Sequence, residues 1–115
     1  MQITIPYPPS LNRYWRNFGG RMVLSSEART FKRKVKEICE NANLDEPFGV
    51  PVHVKIRVYR PRKTGDLDNT LKAILDSLNG IVYVDDRQII SIYAERHDDK
   101  SNPRAEIEVL EAIHG

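Results

Sequence analysis

The sequence predicts an α+β fold, a mixed β-sheet with two main helices packed on it, and three observations carry that reading. Val52, Val54, Ile56 and Val58 alternate with His53, Lys55, Arg57 and Tyr59, the period-2 pattern of a strand buried on one face. Ala28, Phe31, Val35, Ile38 and Ala42 recur at spacings of three and four, one apolar stripe of a helix. Strand-like and helix-like segments alternate, but incompletely, which favours helices gathered on a mixed sheet over a regular βα repeat.

Each element follows from its residues. Ile3 and Ile5 alternate in a short first strand that Pro6, Pro8 and Pro9 close. Residues 11–21 read as a loop rich in aromatic and basic side chains, and residues 22–24 as a short strand. Ser25 suits the N-cap of a helix reaching about residue 43, with Glu27 placed well for the dipole of its first turn. Arg29, Lys32, Arg33 and Lys36 form a basic ridge on its outer side. After the strand from Val52, Pro61 and the loop Arg62-Lys63-Thr64-Gly65 lead to a second helix from about Asn69, with Asp68 as its cap. Leu71, Ile74, Leu75 and Leu78 are its apolar face, and Asn79-Gly80 is a favoured stop. An Asp85-Asp86 turn follows, then strands near residues 88–96 and 105–110. The strand order is not legible from these signals.

The chain has 115 residues, read as one domain spanning 1–115, with 40% hydrophobic and 30% charged residues. No apolar run approaches the roughly 18–20 residues of a membrane span, and no signal-peptide pattern is present. The single Cys39 forms no disulfide within the chain and fits a reducing cytoplasm. Net charge is +2, but its distribution is uneven: residues 1–65 carry 13 Lys and Arg against 5 Asp and Glu, residues 66–115 carry 5 against 11. A basic half beside an acidic one fits phosphate binding next to a metal site. His53, His97, His114 and Cys39 lack zinc spacing.

The chemistry concentrates in Gly65-Asp66-Leu67-Asp68-Asn69-Thr70-Leu71-Lys72 and Val84-Asp85-Asp86-Arg87. Asp66 and Asp68 leave the same face of an extended segment. Lys72 lies one helical turn beyond Asp68. Carboxylates clustered without a neutralising partner repel one another, and a hard divalent cation relieves that repulsion. Oxygen ligands suit Mg²⁺, with Mn²⁺ as a substitute. The pattern points to metal-dependent phosphodiester chemistry.

These segments resemble the RusA family of Holliday-junction resolvases. The similarity extends to Pro6-Tyr7-Pro8-Pro9-Ser10-Leu11-Asn12-Arg13-Tyr14, to Gly20-Arg21 and to Ser25-Ser26-Glu27, in matching order from about residue 3 to residue 92. The resemblance implies a homodimeric, Mg²⁺-dependent endonuclease that cuts four-way DNA junctions by paired nicks, in recombination and repair, leaving 5′-phosphates. Residue by residue it implies Asp66, Asp68 and Asp86 as metal ligands, with Asp85 as a fourth ligand or a partner to one. Lys72 then serves the transition state. Arg13, Tyr14, Trp15 and Arg16 interleave aromatic and basic side chains, a combination that stacks bases and holds phosphates. Arg21, Lys32, Arg33, Lys55, Arg57, Arg60, Arg62, Lys63 and Asn69 complete the set of expected DNA contacts. A two-fold substrate calls for a two-fold enzyme, and Ala73, Ile74, Leu75 and Leu78 on the second helix are the expected subunit contact. Two other readings fit the residues: a branched-DNA-binding module without catalysis, and a metal nuclease for flap or other branched nucleic acids.

Overall fold

The computed structural model describes residues 1–63 and 66–112, and the side chains of all of these except Leu11 and Asn12. Thr64 and Gly65 of the loop before the acidic motif, and His114 near the terminus, lie outside the described residues. Six strands and three helices follow in the order β1 (Gln2–Pro6), α1 (Leu11–Tyr14), β2 (Trp15–Phe18), β3 (Arg21–Leu24), α2 (Ser26–Asn41), β4 (Val52–Arg60), α3 (Leu67–Leu78), β5 (Ile89–Asp98) and β6 (Arg104–Glu111). A 3₁₀ turn, Asp86–Gln88, leads into β5.

The main sheet has the order β1-β6-β4-β5. β6 runs antiparallel to both β1 and β4, whereas β4 and β5 run parallel. A parallel pair needs a crossover, and α3 is that crossover. It therefore starts beyond the end of β4 and delivers the chain to the start of β5. This is the mixed sheet with two main helices that the residue patterns predict.

The alternation in β4 reads out as expected: Val52, Val54, Ile56 and Val58 are buried, together with Ile3, Ile5, Ala105, Ile107 and Val109 from neighbouring strands. α2 and α3 cover this face. Ser25 caps α2, its Oγ accepting from the Ala28 amide at 3.1 Å. The buried stripe of α2 is Ala28, Phe31, Val35 and Cys39; Ile38 is half-buried, and Ala42 is exposed at the C-cap. Burial raises the Cys39 thiol to about 11, so the cysteine serves packing rather than chemistry.

The structure corrects two boundaries. Asp66, not Asp68, occupies the N-cap of α3, and Asp68 sits in the first turn. Both are good capping residues by type. The loop expected over residues 11–21 instead holds a single helical turn and a hairpin. β2 and β3 pair antiparallel from Trp15↔Leu24 to Phe18↔Arg21 around Gly19 (φ 59°) and Gly20 (φ 82°). Two central residues at positive φ define the turn that matches strand twist, and glycine adopts that φ without strain.

Candidate active site

The start of α3 supplies the first half of the site. The Thr70 amide and Oγ1 donate to the Asp66 carbonyl at 3.2 and 3.1 Å, and Tyr7 Oη and Thr70 Oγ1 lie 3.4 Å apart, fixing the first turn. Asp66 makes no side-chain capping bond. Asp66, Asp68, Asn69 and Lys72 are all exposed. Among the described residues no ion pair engages Asp66, Asp68 or Lys72.

The 3₁₀ turn before β5 supplies the second half and divides Asp85 from Asp86. Asp85 closes a capping box: it accepts from the Arg87 amide at 2.9 Å, while its own amide donates to Gln88 Oε1 at 2.8 Å. Gln88 Nε2 in turn donates to the carbonyls of Phe48 and Val50 at 2.7 and 2.8 Å. The Arg87 guanidinium also reaches Asp85, 3.3 Å from Nε to Oδ1. Bonds from the Arg87 amide and then its guanidinium hold the Asp85 carboxyl below the usual carboxylate range. Asp85 is thus occupied as a cap. Asp86, its neighbour, is exposed and outside that box.

The charge of Asp86 is felt at the middle of α3. Asp76, half-buried on that helix, has its carboxyl raised by desolvation; Lys72 and Lys32 oppose the rise, and the charge of Asp86 adds to it. Burial likewise raises Tyr83, with Asp86 and Asp76 adding to the effect. Lys72, Asp76, Asp86 and Lys32 therefore share one electrostatic neighbourhood. A groove lined by Tyr14, Trp15, Leu24, Lys32, Asp76, Asn79, Gly80 and Val84 runs here. It continues into a cationic stretch lined by Leu24, Arg29, Lys32, Arg33, Lys36, Asn79, Gly80 and Ile81. The basic ridge of α2 thus borders a groove that reaches Val84, just before the acidic turn.

The donor set is carboxylate oxygen only, which matches a hard divalent cation. Among the described residues, no three acidic, histidine or cysteine side chains already converge on a point that could enclose an ion. The carboxylates stand exposed at the start of α3 and in the 3₁₀ turn before β5 rather than in a closed cage.

Of the expected DNA contacts, Arg13, Arg16, Arg21, Arg33, Arg62, Lys63, Lys55 and Asn69 are exposed, and Lys32 is half-buried. Two expectations fail. Tyr14 is only 1% exposed and shares a 2.6 Å hydrogen bond with Ser77 inside the core, so its ring has no face for a base. Arg60 is 7% exposed and donates to Asp98 at 2.9 Å, which makes it part of the fold. Arg57 is also engaged, 3.2 Å from Glu106. The subunit contact expected on α3 fails as well: Ala73, Ile74 and Leu78 are fully buried against the sheet. Exposed apolar side chains lie elsewhere, on edge strand β5 (Ile90, Ile92, Tyr93) and on the hairpin (Trp15, Phe18, Met22). Gly19-Gly20 between two short β-prone runs is the signal that could have revealed that hairpin.

Among the described residues, carboxylates without ion pairs at a helix start and at a 3₁₀ turn, beside a lysine without an ion pair and a cationic groove, fit one class: an enzyme that cuts nucleic-acid phosphodiesters. Comparison with known proteins narrows the class to a family. Residues 6–110 match the family model for Endodeoxyribonuclease RusA. Crossover junction endodeoxyribonuclease RusA of Escherichia coli strain K12 is 35% identical over 111 residues, covering 95% of this chain and 92% of its own. The protein of the same name from Shigella sonnei strain Ss046 gives the same identity and coverage, and that of Enterobacteria phage 82 is 33% identical over 111 residues. The chain belongs to the RusA family and is an endodeoxyribonuclease. No described helix is long and apolar enough to cross a membrane.

Proposed function

We propose that this endodeoxyribonuclease resolves four-way DNA junctions by symmetric paired nicks, acting as a homodimer in the cytoplasm with Mg²⁺ or Mn²⁺. The observation that carries the reading is the pairing of family membership with a specific imbalance. Asp66, Asp68 and Lys72 stand exposed on the first turns of α3, with no ion-pair partner among the described residues. The names of the relatives supply the substrate class, crossover junctions.

Asp66, Asp68 and Asp86 would hold the cation. When bound, it supplies Lewis acidity to the scissile phosphate and acidity to an attacking water. The chain's own residues do the rest. Lys72, one turn beyond Asp68, places its ammonium where charge builds on the phosphate oxygens. Asn69 offers an amide to a neighbouring phosphate oxygen. Lys32, Arg33 and the groove behind them hold the strand backbone, Arg62 and Lys63 hold the flank after β4, and none of these contacts reads sequence. Two equivalent strands must be cut, so two copies related by a two-fold axis match the substrate's symmetry.

The test is a labelled synthetic four-way junction incubated with and without Mg²⁺. Symmetric nicks that need the metal and have 5′-phosphates at the cut support the reading. Binding without cutting would assign the chain to a DNA-binding role, and preferential cutting of a flap would reassign the substrate. Sedimentation at micromolar concentration checks the dimer, which should run near twice the 13.3 kDa of one chain.

A further inference from the structure

The β2–β3 hairpin leaves a feature that the nuclease chemistry does not use. Its last strand residue, Phe18, is 72% exposed, and Met22 is 63% exposed. Every residue of β2 is exposed, and only Val23 and Leu24 of β3 are half-buried, so the ribbon projects from the body. An aromatic ring held in water on a projecting ribbon contributes nothing to the core.

The ribbon is nevertheless firmly rooted. Tyr14, just before it, is locked in the core by Ser77 and meets Trp15 edge-on at 5.7 Å between ring centroids. The Ser25 amide, just after it, donates to the Tyr14 carbonyl at 2.9 Å, and the Ser25 hydroxyl donates to the Arg13 carbonyl. At the tip, the two-residue turn through Gly19 and Gly20 keeps the hairpin short. Phe18 therefore sits on a stiff mount.

Its neighbours are cationic. Arg21 is directly opposite Phe18 across the ribbon, and Arg16, two residues earlier, shares its face. Paired side chains of this kind start about 5 Å apart at Cβ. An aromatic ring between two guanidiniums offers a stacking plane with charges for the phosphates on either side. The root of the ribbon, Trp15 and Leu24, lines the same groove as Lys32, Asp76 and Val84, next to the acidic turn. The root of the finger thus lies on a groove that reaches Val84, two residues before Asp86.

Resting on the junction reading above, we propose that Phe18 stacks on an exposed base at the branch point while Arg16 and Arg21 grip the flanking phosphates. In an intact duplex every base is covered by its neighbours. At a crossover the stack is interrupted, so this contact discriminates junction from duplex by structure rather than by sequence.

The experiment measures binding of the parent, F18A, F18L and F18W to a four-way junction and to a duplex of equal arm length, with 2-aminopurine at the exchange point. The expected result is that F18A lowers the ratio of junction to duplex affinity by about 10-fold. F18L, with bulk but no π face, should match F18A; F18W should restore the ratio. The 2-aminopurine emission change of the parent should be absent in F18A. A parent that cuts junctions while F18A keeps the same affinity ratio and emission change overturns the finger and leaves the nuclease reading intact. A parent that binds junctions through Phe18 but never cuts supports the finger and overturns the nuclease reading. Rescue by F18L would make the contact merely apolar, and an F18A that melts earlier or sediments as a smaller species would make Phe18 a structural or subunit contact; each of these overturns the proposal.

Discussion

Two charged regions of this molecule are built on opposite principles. On the sheet face that no helix covers, acid and base are matched. Glu106 lies 3.2 Å from Arg57 and 3.3 Å from Arg104, and it accepts from Tyr59 Oη at 3.2 Å. Arg104 also reaches Asp99 at 2.9 Å and lies 3.8 Å over the Tyr59 ring, which stacks on His97. At the start of α3 and in the turn before β5, Asp66, Asp68, Asp86 and Lys72 have no ion pair among the described residues. The same chain places partners at 2.9 to 3.3 Å on one surface and withholds them on another. Unpaired charge at a surface gains little for folding and is available to a ligand.

Substitutions across that boundary can break the comparison. The largest effect is expected for Asp68→Asn and Asp86→Asn, which keep shape and remove charge. Each should lower the cleavage rate on the order of 10²-fold or more while junction binding persists. Asp85→Ala is the sharpening partner. Its carboxylate is a cap, so the thermal midpoint should fall while the rate at saturation stays near the parent's. A large rate loss at Asp85 with stability unchanged would dissolve the distinction drawn between the two neighbours.

Lys72→Ala comes next, with a cleavage rate about 10–100-fold lower and affinity within about 3-fold of the parent, measured under single-turnover conditions. Arg62→Ala should do the reverse, weakening binding and flattening its salt dependence. On the matched side, Arg60→Ala removes the partner of Asp98 and a buried stem, and should cost about 1–3 kcal/mol in denaturant unfolding without touching the saturated rate.

The matched face also carries a pH signature. Glu106 and Asp99 are held below their ordinary values, Glu106 first by its bond from Arg57 and Asp99 first by its bond from Arg104. A carboxyl depressed in the folded state stabilises fully above its unfolded value. That contribution is lost as pH falls through the folded value, so thermal midpoints should decline in the acid range, and Glu106→Gln should flatten the decline. The smallest effect is the rise in midpoint on adding Mg²⁺, which the α3 carboxylates predict and Asp68→Asn should reduce.

Much of this was legible in the residues, for local reasons. Ser25, Glu27 and a three-four stripe specify α2, and strict alternation specifies β4. The same alternation already places Arg60 on the buried side with Val58, so counting parity to the strand's end would have removed it from the DNA contacts. Tyr14 looked like its exposed neighbours because its burial depends on Ser77, 63 positions away. The parallel β4–β5 pair and the split between Asp85 and Asp86 are equally non-local. The second depends on Gln88 reaching back to Phe48 and Val50. What the sequence hides is pairing between distant segments.

The crossover through α3 has a consequence for the life of the chain before it is an enzyme. Asp66 and Asp68 stand where the crossover begins, and Asp86 where it ends. The two ends of the crossover take up fixed places only when β5 docks beside β4, a pairing between segments far apart in the sequence. Until that pairing forms, the halves of the site are joined by the chain alone, so the geometry of the site is a property of the finished sheet.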